Sequence, residues 1–367
     1  MIIHDHVFTD FICNLRCTYC PCEVNLMKRK GDFLYVSPFG DSPAYQESVT
    51  NFLDRNREVI KRSKNRKDTP ILKISGGEIF LIPEFMNLLS TLANEYAIVQ
   101  ILTNGTLLNP PIIEKLRDFP NIHMQISLDG HTIEMNAYRF RTPKTLSSIL
   151  KNLTLLSNAA IPLEINCVLT AANIEGFFDF VQDLNHQCRG CTIYPFPVRS
   201  HPKLFPRPDQ IKLFKQVLED SFLLIKHLLP PIQYFYSLIE FMKAGKRMKG
   251  CYVPHTVLAT SGDGQLEACT CGPVKTLGNV LSSNADDAYN RVRQDSCYDN
   301  VKEPYLSPTC CRDCFTHYEI INLFIEGAIS VAELKTMAFF AVPEVIDRLI
   351  AMKEEMSVAV LSVKNHT

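Results

Sequence analysis

The chain has 367 residues, a formal net charge of −1 at pH 7 and 46% hydrophobic residues. This length buries a sizeable core, which excludes a disordered chain or a small disulfide-stapled scaffold and predicts two domains or one barrel with an appendage. The near-zero charge disfavours nucleic acid or an anionic membrane as partner, and no apolar run reaches the roughly 18 residues of a membrane span.

The N-terminus and the cysteines predict a reducing compartment. MIIHDHVFTD contains two acidic residues and no basic segment, which is not typical of a signal peptide, so we expect a cytoplasmic protein. The fourteen cysteines are then expected to be metal ligands or catalytic groups rather than disulfides. They fall into three groups, with none between residues 23 and 166.

The first 200 residues alternate predicted strands and helices. Strands are predicted at 2–12, 71–75, 97–102, 122–128, 163–169 and 192–198, and helices at 46–66, 83–96, 111–118, 145–158 and 173–184. This alternation predicts a parallel sheet with helices on its outer face. Two helices at 209–229 and 232–249 follow, then a turn-rich, cysteine-dense segment, 251–314, and an apolar helical region, 315–363.

Polar and glycine residues recur where the predicted strands end. Gly76, Gly77 and Glu78 follow one strand, Asn104 the next, and Ser127 and Asp129 lie at the end of another. Because ligands of parallel α/β folds bind at the carboxyl ends of the strands, these ends predict one shared site.

The first cysteine group has the spacing C-x3-C-x2-C at Cys13, Cys17 and Cys20. A tight loop can fold three thiolates around one metal or cluster, whereas a closed site needs four protein ligands. Three thiolates leave one coordination position open, where chemistry can occur. Cys22 as a fourth ligand would instead close the site.

These residues resemble the radical S-adenosylmethionine enzymes. CNLRCTYC resembles the cluster loop of that family, with Tyr19 at its usual aromatic position, and SGGEIFLIPEF resembles its Gly-Gly-Glu segment, although Ile79 stands where the family usually has proline. SLDG, Arg139 and VLTAAN (168–173) resemble later family positions, so the resemblance covers about residues 5–200. It implies S-adenosylmethionine contacts at Tyr19, Gly76, Gly77, Glu78, Asn104, Ser127, Asp129 and Arg139.

The resemblance also implies a fold and a reaction. The fold is α/β, a partial (β/α)6 barrel. Cys13, Cys17 and Cys20 hold a [4Fe–4S] cluster, whose fourth iron binds S-adenosylmethionine. One-electron cleavage of the sulfonium then gives a 5′-deoxyadenosyl radical, which abstracts hydrogen from a substrate C–H bond.

The last cysteine group resembles the SPASM/twitch extension of the same family. SGDGQLEAC (261–269) predicts a hairpin turn and a strand, and Cys311 and Cys314 form a later C-x2-C. The resemblance assigns one auxiliary [4Fe–4S] cluster to Cys251, Cys269, Cys311 and Cys314. A structural zinc site could use the same thiolates, and Cys271, Cys297 and Cys310 could supply further ligands; Cys310 beside Cys311 makes that choice ambiguous.

The middle cysteines allow several interpretations. Cys188 and Cys191 could form a redox pair, a metal half-site or a hydrogen donor to a substrate radical, but two thiols in a structural loop are the favoured interpretation. Cys167 lies inside the apolar strand LEINCVL and is expected to be a small core residue.

We therefore predict four regions: a radical core barrel (1–200), a helical insertion (201–250), an auxiliary-cluster domain (251–314) and a helical cap (315–367).

The preferred substrate is a ribosomally made peptide, modified by crosslinking, epimerisation or oxidation. The first strand starts near the N-terminus, so a separate protein is expected to recognise the peptide. The alternatives are a small-molecule oxidoreductase acting on an aminocyclitol, sugar or cofactor precursor, and a zinc-stabilised binding protein. The expected electron donor is a flavodoxin or ferredoxin, and no membrane partner is expected.

Overall fold

The structure is a computed structural model, and it describes residues 1–8, 13–20, 28–30, 33–36, 45–63, 69–82, 84–188, 190–267, 269, 276–282 and 309–364. Within these ranges, no helix is both long and apolar enough to cross a membrane.

Strands and helices alternate through the first half of the chain. The strands are β1 Ile3–Val7, β2 Lys28–Lys30, β3 Phe33–Val36, β4 Tyr45–Ser48, β5 Ile71–Ser75, β6 Ile98–Thr103, β7 Ile122–Ser127, β8 Leu163–Leu169, β9 Cys191–Pro197, β10 Val257–Ser261, β11 Gln265–Glu267 and β12 Thr276–Asn279. The helices are α1 Val49–Ser63, α2 Phe85–Leu92, α3 Pro110–Arg117, α4 Pro143–Asn158, α5 Phe177–Gln187, α6 Pro208–Ile225, α7 Ile232–Ala244 and α8 Val253–Thr256. Later helices span Thr309–Arg312, Glu319–Ile325, Val331–Leu334 and Pro343–Lys364.

The main sheet is open and mostly parallel. Among the described residues it has nine strands in the order β12-β11-β10-β1-β5-β6-β7-β8-β9, and every pair from β10 to β9 is parallel. Strand β8, for example, is buried at all seven positions, as expected for a strand covered on both faces. This architecture confirms the predicted α/β fold with a partial barrel.

Local sequence signals mark the start of α3 and the end of α7. Asn109 caps α3 by accepting a hydrogen bond from the Ile112 amide, and Pro110 is the first helical residue. Helix α7 ends at Gly245, which has a φ of 65°, a left-handed conformation that glycine adopts without steric cost. Strands β5 and β8 have the predicted bounds. Helix α1 is a few residues shorter than predicted at each end, and α5 begins and ends a few residues later than predicted.

The cysteine-dense segment contributes to the barrel sheet. Strand β10 pairs in parallel with β1, with Ile3 opposite Val257 and Val7 opposite Ser261. The predicted hairpin is present, since β10 and β11 pair antiparallel around a turn in which Gly264 has a φ of 86°. The segment after Cys251 therefore lies directly beside the strand that leads to the first cysteine loop. Neither this pairing nor the small antiparallel sheet β2-β3-β4 was predicted from the sequence.

The face of the sheet opposite α1 is polar and is closed by the C-terminal cap. The register places Asp5, Lys73, Gln100 and His123 side by side on adjacent strands. The Tyr318 hydroxyl donates to Asp5 Oδ2 at 2.8 Å, and Lys73 Nζ lies 3.1 Å from His317 Nε2. Residues of the cap thus fill part of the barrel interior below the strand ends.

Candidate active site at the carboxyl ends of the strands

The loop carrying Cys13, Cys17 and Cys20 follows β1 and is attached to the ends of two other strands. The Thr18 amide donates to the Tyr138 carbonyl at 2.7 Å, beyond β7. Asn104, directly after β6, donates to Asn14 Oδ1 at 2.9 Å, and Asn14 in turn donates to Thr106 Oγ1 at 2.8 Å. These bonds position the loop at the carboxyl edge of the sheet, where the polar strand ends predicted a site.

The three thiols of this loop form one electrostatic group. Burial raises the pKa of the Cys17 thiol to about 11, and nearby Arg139 opposes this, while Cys20 and Cys13 raise it further. Burial also raises the pKa of Cys13, with Cys20 as a minor contributor. Cys20 therefore lies close enough to both other thiols to raise their pKa values, and Cys13 lies close enough to Cys17 to do the same. Thiols placed this closely in one loop could bind a metal cluster as thiolates.

Hydrogen-bond donors point at two of the thiol sulfurs. Cys13 Sγ accepts from the Leu15 amide at 3.4 Å and from Asn104 Nδ2 at 3.6 Å. Arg139 Nη1 lies 4.0 Å from Cys17 Sγ. Such donors stabilise thiolates and influence the potential of a cluster bound by them.

Glu78 links the ends of β5 and β6. Its Oε1 accepts from Thr103 Oγ1 at 2.6 Å and from the Phe80 amide at 3.2 Å, and its Oε2 accepts from the Asn104 amide at 2.8 Å. The side chain is buried, and burial raises its pKa despite these three donors. Glu78 therefore fixes Asn104, the residue that donates to Cys13.

The Gly-Gly pair before Glu78 lies beside Phe8, which follows β1. A Cβ atom on Gly76 would make ordinary van der Waals contact there, 3.4 Å from both Phe8 Cβ and the Phe8 carbonyl oxygen. Gly77 and Ser127, the last residue of β7, are partly exposed at the same edge.

Asp129 is the centre of a buried network. Its Oδ1 accepts from Arg139 Nη2 at 3.1 Å and from the Val168 amide at 3.0 Å. Its Oδ2 accepts from Arg139 Nε at 3.4 Å and from the Tyr19 hydroxyl. The Arg139 guanidinium also lies over the Tyr19 ring, 5.5 Å from its centroid.

Protein groups occupy both carboxylate oxygens of Asp129, and the residue is 1% exposed. Asp129 thus orients Tyr19 and Arg139 beside the cysteine loop. Its contact with S-adenosylmethionine stays a prediction.

The donor set is one that iron–sulfur clusters use, since cysteine thiolates hold their irons. Within the described ranges, no three His, Cys, Asp or Glu side chains are grouped to hold a single metal ion. Three soft thiols that are spread along one loop, yet influence each other electrostatically, fit a polynuclear iron–sulfur cluster.

The second cysteine group surrounds a buried arginine. Cys251 and Cys269 are buried, and Cys311 and Cys314 are partly buried. Burial by itself lowers the pKa of Arg247, but the charges of Cys251, Glu319 and Cys314 outweigh it and raise that pKa above its usual value. Cys251 and Cys314, 63 positions apart in sequence, are therefore brought to the same guanidinium.

The remaining cysteines are placed differently. Cys188 directly follows α5 and Cys191 begins β9, at the opposite end of the sheet from the Cys13 loop. Both thiols are buried, and burial raises their pKa values to about 11 and about 12. This placement does not favour a hydrogen donor to a substrate bound at the strand ends. Cys167 is fully buried in β8, as expected of a core residue. The segments holding Cys22, Cys271 and Cys297, and the side chain of Cys310, lie outside the described residues.

Several structural partners were missed from the sequence. Thr103 holds Glu78, and Asn136 holds the Gly130 carbonyl. Asn173, which ends the VLTAAN segment, donates to the Asp129 carbonyl. Arg247 and Glu319 are single charged residues without a motif, so no pattern indicated them. Glu164 could have been found, because a lone acid inside an apolar strand signals a buried ionisable group.

Comparison with known proteins agrees with this geometry. The profile of the "Radical SAM superfamily" matches residues 9–184. The chain is 31% identical over 249 residues to neomycin C epimerase of Streptomyces fradiae, covering 67% of this chain and 70% of that protein. It is 25% identical over 252 residues to the antilisterial bacteriocin subtilosin biosynthesis protein AlbA of Bacillus subtilis (66% and 53%), and 28% identical over 163 residues to an AdoMet-dependent heme synthase of Methanosarcina barkeri (44% and 41%). The matched region thus spans about half the length of the latter two proteins.

Solved structures have a similar fold over more of the chain than the residues 9–184 that the family profile matches. The structure of anSMEcpe with bound AdoMet has a TM-score of 0.58 at 16% identity and covers 95% of this chain and 98% of that one. Streptococcus suis SuiB bound to the precursor peptide SuiA has a TM-score of 0.56 at 14% identity, with coverages of 82% and 67%. Together with the family profile and the neomycin C epimerase match, these findings confirm that the chain belongs to the radical SAM superfamily of enzymes.

Proposed function

We propose that this enzyme uses Cys13, Cys17 and Cys20 to hold a [4Fe–4S] cluster, cleaves S-adenosylmethionine there, and abstracts hydrogen from a C–H bond of a ribosomally made peptide. The observation that carries the proposal is the three-thiol loop at the carboxyl edge of the sheet, with hydrogen-bond donors directed at its sulfurs.

The protein's own residues would prepare this site. When bound, the cluster and S-adenosylmethionine supply a strongly oxidising carbon radical. Asn104 and the Leu15 amide donate to Cys13, and Arg139 adds positive charge near Cys17, which favours the thiolate forms that bind iron. Asp129 keeps Arg139 and Tyr19 fixed, so the wall of the site does not rearrange when a cofactor binds.

Residues 251–314 are proposed to form the auxiliary site. The approach of Cys251 and Cys314 to Arg247 supports a shared four-thiolate site with Cys269 and Cys311. Such a site is expected to carry electrons for a reaction that removes two electrons from its substrate. A flavodoxin or ferredoxin is proposed as the reductant.

A peptide substrate is supported by the relatives. AlbA is named for subtilosin bacteriocin biosynthesis, and the structural neighbours SuiB and anSMEcpe are both known with bound peptides. We also propose that a separate protein recognises the peptide and presents it to this enzyme.

A small-molecule substrate is the second candidate. Neomycin C epimerase combines 31% identity with coverage of 70% of its own length, more than the other two relatives described above. An aminoglycoside-type or other aminocyclitol substrate, modified at a ring C–H bond, is therefore the competing proposal.

Iron counting tests the cofactor proposal. Protein purified without oxygen, as wild type and as a Cys13/Cys17/Cys20→Ala variant, is analysed for iron, sulfide and 5′-deoxyadenosine formed from S-adenosylmethionine and dithionite. We expect about eight irons in the wild type and about four in the variant, which should form no 5′-deoxyadenosine. Zinc in place of iron, with no cleavage after anaerobic reconstitution, would refute the proposal.

Substrate stimulation separates the two substrate classes. The loaded wild type is incubated with neomycin C or with synthetic peptides encoded by short reading frames beside its gene, and 5′-deoxyadenosine is measured. Stimulation and a change in mass of the peptide support the peptide proposal. Stimulation by neomycin C alone supports the second candidate.

A further inference from the structure

Arg247 connects the two halves of the second cysteine group. It follows α7 and is 5% exposed. Its Nε donates to the Cys314 carbonyl at 3.1 Å, and its Nη1 donates to the carbonyl of Gly250, the residue before Cys251, at 3.4 Å. Its amide donates to the Arg312 carbonyl at 2.6 Å. One residue thus holds the chain at Cys251 against the C-x2-C of Cys311 and Cys314.

A buried carboxylate balances this cation. Glu319 Oε2 lies 2.7 Å from Arg247 Nη1, and the two side chains are 1% and 4% exposed. Ser237 Oγ donates to Glu319 Oε1 at 2.8 Å, and Asn322 Nδ2 donates to Oε2 at 2.9 Å. The charge pair is therefore fixed by hydrogen bonds from both partners, which compensates for the cost of burying it.

The network also reaches the residue after Cys251. Asn322 Oδ1 accepts from the Tyr252 amide at 2.8 Å. The backbone on both sides of Cys251 is thus held by Arg247 and, through Asn322, by Glu319. This places a charge pair of fixed geometry beside two of the four candidate ligands.

We propose that Arg247 is a positioning residue of the auxiliary site, which assembles the ligands Cys251 and Cys314 and, together with Glu319, sets the reduction potential of the cluster they hold. The inference rests on the auxiliary cluster of the proposed function. The donor chemistry fits, because the hydrogen bonds of Arg247 to the carbonyls of Cys314 and Gly250 place one buried cation beside both candidate thiolate ligands.

The two charges predict opposite effects on the potential. Reduction adds an electron to the cluster, so a nearby positive charge favours the reduced form and a nearby negative charge disfavours it. Removing the charge of Arg247 should therefore lower the potential, whereas neutralising Glu319 should raise it. A purely structural role would instead make both substitutions loosen the site in the same way.

The test uses the full chain carrying Cys13/Cys17/Cys20→Ala, so that iron and spectra report the auxiliary site alone. Into this parent we introduce Arg247→Met, Arg247→Lys or Glu319→Gln, with Arg348→Met as control, because Arg348 pairs with Glu355 in the terminal helix. Iron per chain, thermal unfolding and the midpoint potential, from redox titration followed by electron paramagnetic resonance, are measured for each variant.

The expected result is about four irons in the parent and in the control, with equal potentials. Arg247→Met should lower the potential or lose iron, Arg247→Lys should restore iron and part of the potential, and Glu319→Gln should raise the potential.

Equal potentials in all variants with iron retained, or shifts of the same sign for Arg247→Met and Glu319→Gln, overturn the inference. If Arg247→Met does not fold, the sign of the Glu319→Gln shift decides. A parent without iron overturns the auxiliary-cluster proposal itself, and the inference with it.

Discussion

Glu164 is a buried carboxyl whose ionisation should make stability depend on pH. It lies on β8, and its Oε2 accepts from Gln100 Nε2 at 2.6 Å and from Gln125 Nε2 at 2.9 Å. Burial raises its pKa from 4.5 to about 7, although the two amide donors and Lys73 oppose this. Replacing Glu164 with glutamine keeps an acceptor for both amides and removes the ionisation.

The magnitude follows from linkage between proton binding and folding. The folded protein binds this proton more tightly than the unfolded chain does, so wild-type stability falls as the pH rises from about 4.5 towards 7. At about 1.36 kcal/mol for each pKa unit, the full penalty is about 3.4 kcal/mol, of which about 2.5 kcal/mol develops between pH 5 and pH 8. The glutamine variant carries no such penalty.

Urea denaturation at a series of pH values measures this difference. The free energy of unfolding of Glu164→Gln minus that of the wild type should rise by about 2.5 kcal/mol from pH 5 to pH 8. Glu114→Gln is the control, because Glu114 is exposed and its side chain is hydrated whether the chain is folded or unfolded. A constant difference for Glu164→Gln over this range would refute the argument that burial governs its ionisation.

Three further predictions concern other positions. Asp129→Asn should lower the free energy of unfolding by about 3 kcal/mol in urea denaturation, because it leaves a buried guanidinium uncompensated; a loss below about 1 kcal/mol would contradict this. The double variant Cys188→Ala/Cys191→Ala should bind as much iron as the wild type by elemental analysis, since both thiols lie at the far end of the sheet; a lower iron content would mean that they are ligands. Gly130→Ala should destabilise by about 1–3 kcal/mol, because the new methyl group would lie 2.4 Å from Met135 Cβ; unchanged urea denaturation would show that the turn segment containing Met135 moves aside at little cost.

Local patterns predicted the barrel well because they reflect local physics. The segments ILKIS and LEINCVL became β5 and β8 with the predicted bounds, since strands covered on both faces are mostly apolar. Their polar residues Lys73 and Glu164 are nevertheless buried. The motif spacing also indicated that Cys13, Cys17 and Cys20 share one loop. These features depend on residues close together in sequence.

Other features depended on residues far apart in sequence. The pairing of β10 with β1 joins residues about 254 positions apart, and no periodicity specifies which strand lies beside which. The same holds for Asp129, whose carboxylate accepts hydrogen bonds from Arg139, Tyr19 and the Val168 amide.

The sequence by itself therefore determined the family resemblance, the strand–helix alternation and the identity of the thiols that could bind a cluster. The tertiary structure alone decided which buried charges support those thiols. Asp129, Glu78, Arg247 and Glu319 each acquire their role from partners supplied by other elements. The physical reason is that a buried charge must be satisfied by hydrogen bonds or by an opposite charge, and folding alone brings those partners together.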